Sequence, residues 1–206
     1  LTGALTTFIT AGAASETANF TTALAQTAAV PISLTAVTVG SAANITDLNK
    51  LFLEAEGAVT VAVTDGAASV LSGTDLTTSS DDVVSINFGS VAATDNIITE
   101  INTLAAQSGI SSITGTLTSV SAAQADALSS SLSSSNSTIN FTVDEAVSVA
   151  QAAGLLSHTD TDNAAIQFSA GISDSLSAYA TSGATTTNLN NIITEDTDVA
   201  ATVTGT

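Results

Sequence analysis

The sequence has no cysteine, methionine or tryptophan, one proline, and a single basic residue, Lys50, against 19 acidic ones. Each absence closes off a class of chemistry. Without cysteine there is no disulfide, no thiol nucleophile and no thiolate metal site. With Lys50 alone and a formal charge of -18 over 206 residues, phosphate backbones are repelled, so nucleic acid is excluded as a partner. The natural counterpart is a cation. Aromatic residues make up 3% of the chain, so the core must be thin and stability spread over many similar units. No apolar run approaches the roughly 18 residues that span a bilayer. What is present is a small-residue chemistry, rich in Ala, Ser and Thr, whose 44% hydrophobic content and positive mean hydropathy exclude simple disorder.

That chemistry is periodic. The segment from Ile113 to Thr118, Ile-Thr-Gly-Thr-Leu-Thr, is one copy of a motif with register residues at Leu5, Ile32, Val59, Ile86, Ile113, Ile139 and Ile166, spaced by 27, 27, 27, 27, 26 and 27. The following column, Thr6, Ser33, Thr60, Asn87, Thr114, Asn140 and Gln167, is polar in every copy. The next, Thr7, Leu34, Val61, Phe88, Gly115, Phe141 and Phe168, is mostly apolar. Alternation places one column in a core and the other in a wet ladder of hydroxyls and amides. A strand, a helix and another strand in the same register favour parallel pairing with right-handed crossovers. The expected fold is α/β: a right-handed parallel strand-helix solenoid of about seven coils with a ~27-residue period, residues 1–206 forming one domain. The opening Leu-Thr-Gly-Ala and the closing Val-Thr-Gly-Thr both resemble the motif, which predicts a slice of a longer array.

Helices are expected between the strands. Phe20 and Leu24 form one side of a short helix over residues 15–27, and Asn44 caps a second that buries Ile45, Leu48, Leu51 and Phe52. Thr94 or Asp95 caps a third, lined by Ile97, Ile98, Ile101 and Leu104 and ended by Gly109. Ser121 with Gln124, and Thr142 with Glu145, have capping-box spacing. Gly66, Gly73 and a Thr/Ser cluster make residues 65–82 loop-like. The last coil spans 37 residues from Ile166 to Val203, ten more than the usual step, and so carries an insertion.

Catalytic signals are sparse. His158, the one histidine, has Ser157 beside it and Asp160 two residues on, but a triad needs convergence in space and an oxyanion hole, which such a turn does not predict. Phosphate-loop, dinucleotide-binding and nucleophile-elbow motifs are missing. Four Asn-x-Ser/Thr sequons, at Asn19, Asn44, Asn136 and Asn140, are what chance gives in a chain so rich in Ser and Thr. Calcium is the sharper expectation. Asp160, Asp162 and Asn163 lie in the turn entering the Ile166 strand, and Glu195, Asp196 and Asp198 in the turn entering the next. Stacked coils would set these turns side by side as a hard-oxygen cluster for Ca²⁺. The alternative is that these turns are merely solvated.

Units such as residues 113–128 resemble the repeats of giant Ala/Thr/Asp-rich surface proteins of bacteria, especially marine and cyanobacterial ones. The resemblance implies an exported adhesin stalk, surface-layer subunit or extracellular filament. The glycine-rich calcium nonapeptide of secreted toxins is missing from this chain. The expected function is therefore structural and non-catalytic, at the cell surface or outside the cell, with copies of itself or adjoining repeats as partners. The alternative is a module whose hydroxyl ladder, extended by Thr35, Thr116, Thr142 and Ser169, binds a cell-surface glycan or ice.

Overall fold

The computed structural model describes residues 1–26, 29–39, 41–64, 76–128, 138–158 and 165–204. The chain begins with β1 (Thr2–Gly3), α1 (Leu5–Phe8), β2 (Ile9–Thr10), β3 (Ser15–Glu16), α2 (Ala18–Gln26), β4 (Ile32–Leu34) and β5 (Val37–Thr38). Its middle holds α3 (Ala42–Glu54), β6 (Val59–Thr64), β7 (Val83–Ala92), α4 (Asp95–Ala105), β8 (Ile110–Val120), α5 (Ala122–Asp126) and β9 (Thr138–Val143). The remainder comprises α6 (Val149–His158), β10 (Ile166–Phe168), β11 (Ile172–Asp174), α7 (Leu176–Tyr179), β12 (Ala180–Thr181), β13 (Ala184–Thr185), α8 (Thr187–Glu195) and β14 (Ala201–Val203).

Seven strands lie side by side in a mixed α/β arrangement, in the order β1-β4-β6-β7-β8-β9-β10, and β5 joins the same sheet against β6. Every pairing within this sheet is parallel. Sequence order equals spatial order because each connection returns the chain to start the next strand beside the last. The alternation of the expected columns holds: Val61, Phe88, Phe141 and Phe168 are buried, while Thr60 and Asn87 are exposed and Thr114 and Asn140 half-buried. All six phenylalanines are in the core, which runs continuously from Leu5 to Ile192.

The uniform 27-residue register does not hold. Ile32 pairs with Val59 and Ile86 with Ile113, as expected. Ile86, however, lies against Val63 rather than Val59, Ile139 against Gly115 rather than Ile113, and Ile166 against Phe141 rather than Ile139. Leu5 is in α1, and β1 meets β4 through Thr2 against Ser33 and Gly3 against Leu34. At these register residues the slips are by two or four, and one-residue shifts occur only where a ladder is interrupted by a bulge. Burial of one strand face forbids odd slips, which would turn Phe88 or Phe141 into solvent, but leaves even slips open. Consequently the expected continuous ladder is broken: Thr114 is opposite Asn87, but Asn140 is opposite Thr116, and Thr6 sits in a helix.

Three one-residue irregularities interrupt the β7–β8 and β8–β9 ladders: one between Val84 and Ser85, and the two that follow. Phe88 and Gly89 together face Gly115, with Gly89 at φ 70, and Thr118 and Ser119 together face Thr142, with Ser119 at φ 53. Gly115 is in the apolar column for a steric reason: a Cβ there would lie 2.4 Å from Cε2 of Phe88, and its φ is 155. The Phe88 ring lies over that glycine.

Helix ends follow the sequence where capping is local. Thr94 accepts the Ile97 amide at 3.2 Å, and Ser121 with Gln124 forms the reciprocal box. The expected Thr142–Glu145 box does not form, because Thr142 lies inside β9. Ser148 and Gln151 cap α6 instead, with Gln151 Oε1 accepting the Ser148 amide at 2.9 Å and Ser148 Oγ the Gln151 amide at 3.1 Å. Ser41, not Asn44, occupies the N-cap of α3. Gly109 ends no helix: α4 closes at Ala106, and Gly109 presses against Ser79, whose carbonyl oxygen would be 2.4 Å from an added Cβ. The glycines of the loop-like stretch, Gly66 and Gly73, lie outside the described residues. The long last coil is explained by β11, which intervenes so that β14 pairs with β11 and not with β10.

Gly115→Ala should lower stability by about 1 to 3 kcal/mol through collision with Phe88. Phe141→Ala should cost about 3 to 5 kcal/mol through the cavity it leaves. Urea unfolding measures both, and an unchanged midpoint for Gly115→Ala would show that the ring is not packed on that backbone.

Candidate functional site: the acidic side chains between rows

A chain with 19 carboxylates and one cation cannot pair its charges among side chains. Lys50 is taken up by Glu54, one turn along α3, and by Glu16 at 3.8 Å, and the hydrogen bond it donates to Glu54 is the main reason its pKa is raised. It is therefore not free to face an acidic substrate. The remaining acids must hydrogen-bond to neutral donors or face water.

Among the described residues three are buried, and all three accept from backbone amides of a neighbouring row. Asp47 in α3 takes the Gly12 and Ala14 amides at 2.7 and 3.0 Å, holding the turn between β2 and β3. Asp82, just before β7, takes the Val59 amide at the start of β6 at 2.9 Å. Its other oxygen takes the Ser79 amide and hydroxyl at 2.7 and 3.0 Å. Asp196, at the end of α8, accepts the Phe168 amide of β10 at 2.6 Å. Half-exposed and exposed acids repeat the device at helix starts. Asp174 accepts the Val149 amide at 3.1 Å at the head of α6, and Glu145 the Ala122 amide at 2.7 Å at the head of α5. A carboxylate at a helix N-terminus meets both unpaired amides and the positive end of the helix dipole.

Neutral amides do the same work. Gln107 accepts the Thr78 amide at 3.1 Å and donates to the Leu76 carbonyl at 2.6 Å, Asn140 accepts the Ala165 amide at 2.8 Å, and Asn102 donates to the Ala127 carbonyl at 2.8 Å. Among the described residues no buried side-chain nitrogen or oxygen lacks a partner. Hydroxyls of the expected ligand-binding ladder also turn to backbone: Thr114 donates to the Ile86 carbonyl at 3.3 Å and Ser169 to the Val143 carbonyl at 3.1 Å.

The expected calcium ligands are distributed differently. Asp160, Asp162 and Asn163 lie outside the described residues. Glu195 and Asp198 are exposed, while Asp196 points inward to Phe168. Among the described residues no three His, Asp or Glu side chains come together as a metal site. His158 is the last residue of α6, and Asp160 again lies outside the described residues. A cleft of about 500 Å³ between α5 and α6 is lined largely by Ala122, Ala150, Gly154 and Leu155, with Asp126 and Glu145 as its carboxylates. Glu145 is already engaged there by the Ala122 amide. No helix of the described residues is long and apolar enough to cross a membrane.

What sequence reasoning missed was the role of Asp47, Asp82, Glu145 and Asp174. A usable signal existed: each lies within a few residues of an apolar run, 23 to 35 positions after the backbone group it binds, which is about one repeat.

Asp82→Ala should cost about 1.5 to 3 kcal/mol, because the buried Val59 amide loses a charged acceptor. Asp81→Ala, at the exposed neighbour, should stay within about 0.5 kcal/mol. Equal losses in urea unfolding would mean that the Asp82 contact is not holding β6.

Comparison with known proteins identifies no relative: no family model, curated protein or solved structure matches this chain.

Proposed function

We propose that this chain is a non-catalytic structural segment of an extracellular or cell-surface assembly, a surface layer, adhesin stalk or filament. In this proposal the parallel sheet and its helices form a right-handed solenoid of about seven coils whose nominal period is ~27 residues, adjusted by even slips. The observation that carries it is the use made of polar side chains. Carboxylates and amides that a binding or catalytic surface would aim outward are spent tying one row's backbone to the next, at Asp47, Asp82, Asp174 and Asp196. A stack secured at each row can be lengthened without enlarging its core, which is the property required of a spacer.

Electron microscopy of the purified full chain is the direct test. Filaments or a lattice are expected, and a monodisperse particle at high concentration would remove the assembly role. The cation proposed to offset the formal charge of -18 is Ca²⁺ taken from the medium at outward-facing acids such as Glu195 and Asp198. Chelation should then lower the melting temperature, with Mg²⁺ restoring it poorly. An unchanged calorimetric curve would remove Ca²⁺ from the proposal.

A further inference from the structure

The two ends of the described chain carry the same structural module. Residues 5–10 correspond to residues 176–181, residues 15–26 to 184–195, and residues 32–35 to 201–204. In each module a four-residue helix (α1 or α7) leads into a two-stranded antiparallel hairpin, then a nine-residue helix (α2 or α8), then a strand that pairs in parallel with the one preceding the module. Hydrogen bonds repeat at corresponding positions. The Leu1 nitrogen donates to Pro31 O at 2.7 Å and Ile172 N to Ala200 O at 2.8 Å. Thr17 N donates to Phe8 O at 2.8 Å and Thr186 N to Tyr179 O at 2.9 Å. Thr35 N donates to Gly3 O at 3.0 Å and Thr204 N to Asp174 O at 2.7 Å. Even the cap hydroxyls agree, Thr17 Oγ1 donating to Thr7 O at 2.8 Å and Thr186 Oγ1 to Ala178 O at 2.7 Å. The hairpin turn is the main difference, residues 11–14 in the first module and Ser182–Gly183 in the second.

The modules differ in what covers them. In the first, α3 packs on α1, β2 and β3, and β6 pairs with β4. Leu5 is 8% exposed there and Leu34 7%. Their counterparts Leu176 and Val203 are 64% and 55% exposed, and Ile193, the counterpart of half-buried Leu24, is 42% exposed. Every residue of β14 is exposed, whereas β4 buries Ile32 and Leu34. The same sequence pattern thus presents an apolar face that, among the described residues, one copy buries and the other leaves open.

We propose that the face formed by Leu176, Ile193 and the free edge of β14 is a docking site for a further helix-then-strand unit of the α3–β6 kind, supplied by an adjoining repeat. The first module defines its geometry. The incoming strand runs parallel to β14, opposite Ala201 and Val203 as Val59 is opposite Ile32, and the incoming helix covers Leu176 as α3 covers α1. In β4 the Ser33 and Thr35 amides face β1 and the Ile32 amide donates to Ala58 beside β6. The Ala201 and Val203 amides therefore point to the open edge, and Thr202 and Thr204 to β11. An unpaired strand edge next to exposed aliphatic side chains is a template for strand addition.

This deepens the assembly proposal and rests on it for the source of the unit, yet the surface itself can be tested alone. The probe is a synthetic peptide of residues 41–64, titrated into the full chain by calorimetry and followed by amide hydrogen exchange. Saturable binding is expected, with new protection at Ala201 and Val203. Val203→Asp and Leu176→Asp should each weaken it by at least about tenfold, and Leu53→Asp, at an exposed leucine outside the face, should leave it unchanged. Circular dichroism of the variants checks that they fold. Absence of saturable binding, or binding that Val203→Asp and Leu176→Asp leave unaltered, overturns the docking site. Arrays in the microscope without peptide binding sink this site and leave the assembly role, whereas peptide binding without arrays does the reverse.

Discussion

A buried backbone amide must find an acceptor, and between the rows of this protein that acceptor is repeatedly a carboxylate reaching across from the next row. The need is general, since leaving such a donor unpaired costs about 1 to 3 kcal/mol. The choice of carboxylate is specific to this chain. With one basic side chain available, acids cannot be buried as ion pairs, so Asp47, Asp82 and Asp196 are buried as acceptors of N–H groups. Charge-assisted bonds of this sort are shorter and stronger than amide to amide ones. The arrangement also settles where rows begin: the Val59 amide is fixed by Asp82 before β6 pairs with β7, and the Val149 amide by Asp174 at the start of α6.

This division of labour explains which features the sequence announces. Burial of one strand face acts on every second residue, so the apolar column containing Phe88, Phe141 and Phe168 is legible without knowing any partner. Pairing register depends on the loops between strands and on one-residue bulges such as those at Gly89 and Ser119, past which the inward positions resume three residues on, at Val91 and Val120. Periodicity therefore reveals the faces and leaves an uncertainty of an even number of residues along the strand. Local devices are equally legible: the Ser121 and Gln124 box is complete within four residues, and it forms. Thr142 has the same spacing to Glu145 but belongs to β9, where strand pairing outweighs a cap worth about 1 kcal/mol.

The acids were harder to read because their partners are about one repeat away and on the backbone. Nothing in Asp196 alone distinguishes a metal ligand from an acceptor for Phe168 N, since both uses want a carboxylate in a turn. The distinction lies in burial, which depends on how β14 is paired. A simple array would place β14 beside β10. Pairing with β11 instead follows from the second hairpin module, whose Tyr179 hydroxyl lies 3.0 Å from Ile172 O and 2.9 Å from Thr202 O and so joins the two strands.

Small residues complete the account by resolving a mismatch of spacings. Parallel strands stand about 4.8 Å apart, whereas helices packed through large side chains need about 8 to 10 Å, so a helix on every row would force the sheet to splay. Here the helical layer is uneven. The thirteen residues of α3 and eleven of α4 flank a row whose described part, residues 76–82, is not helical, and the five residues of α5 lie between α4 and α6. On α5 and α6 the buried positions include Ala122, Ala125 and Ala152, which let helices approach where leucines would hold them apart. A composition that looks like low complexity thus follows from the geometry: the shorter the strand spacing relative to the helix diameter, the smaller the side chains between helices must be, and the more of the cohesion passes to hydrogen bonds between rows.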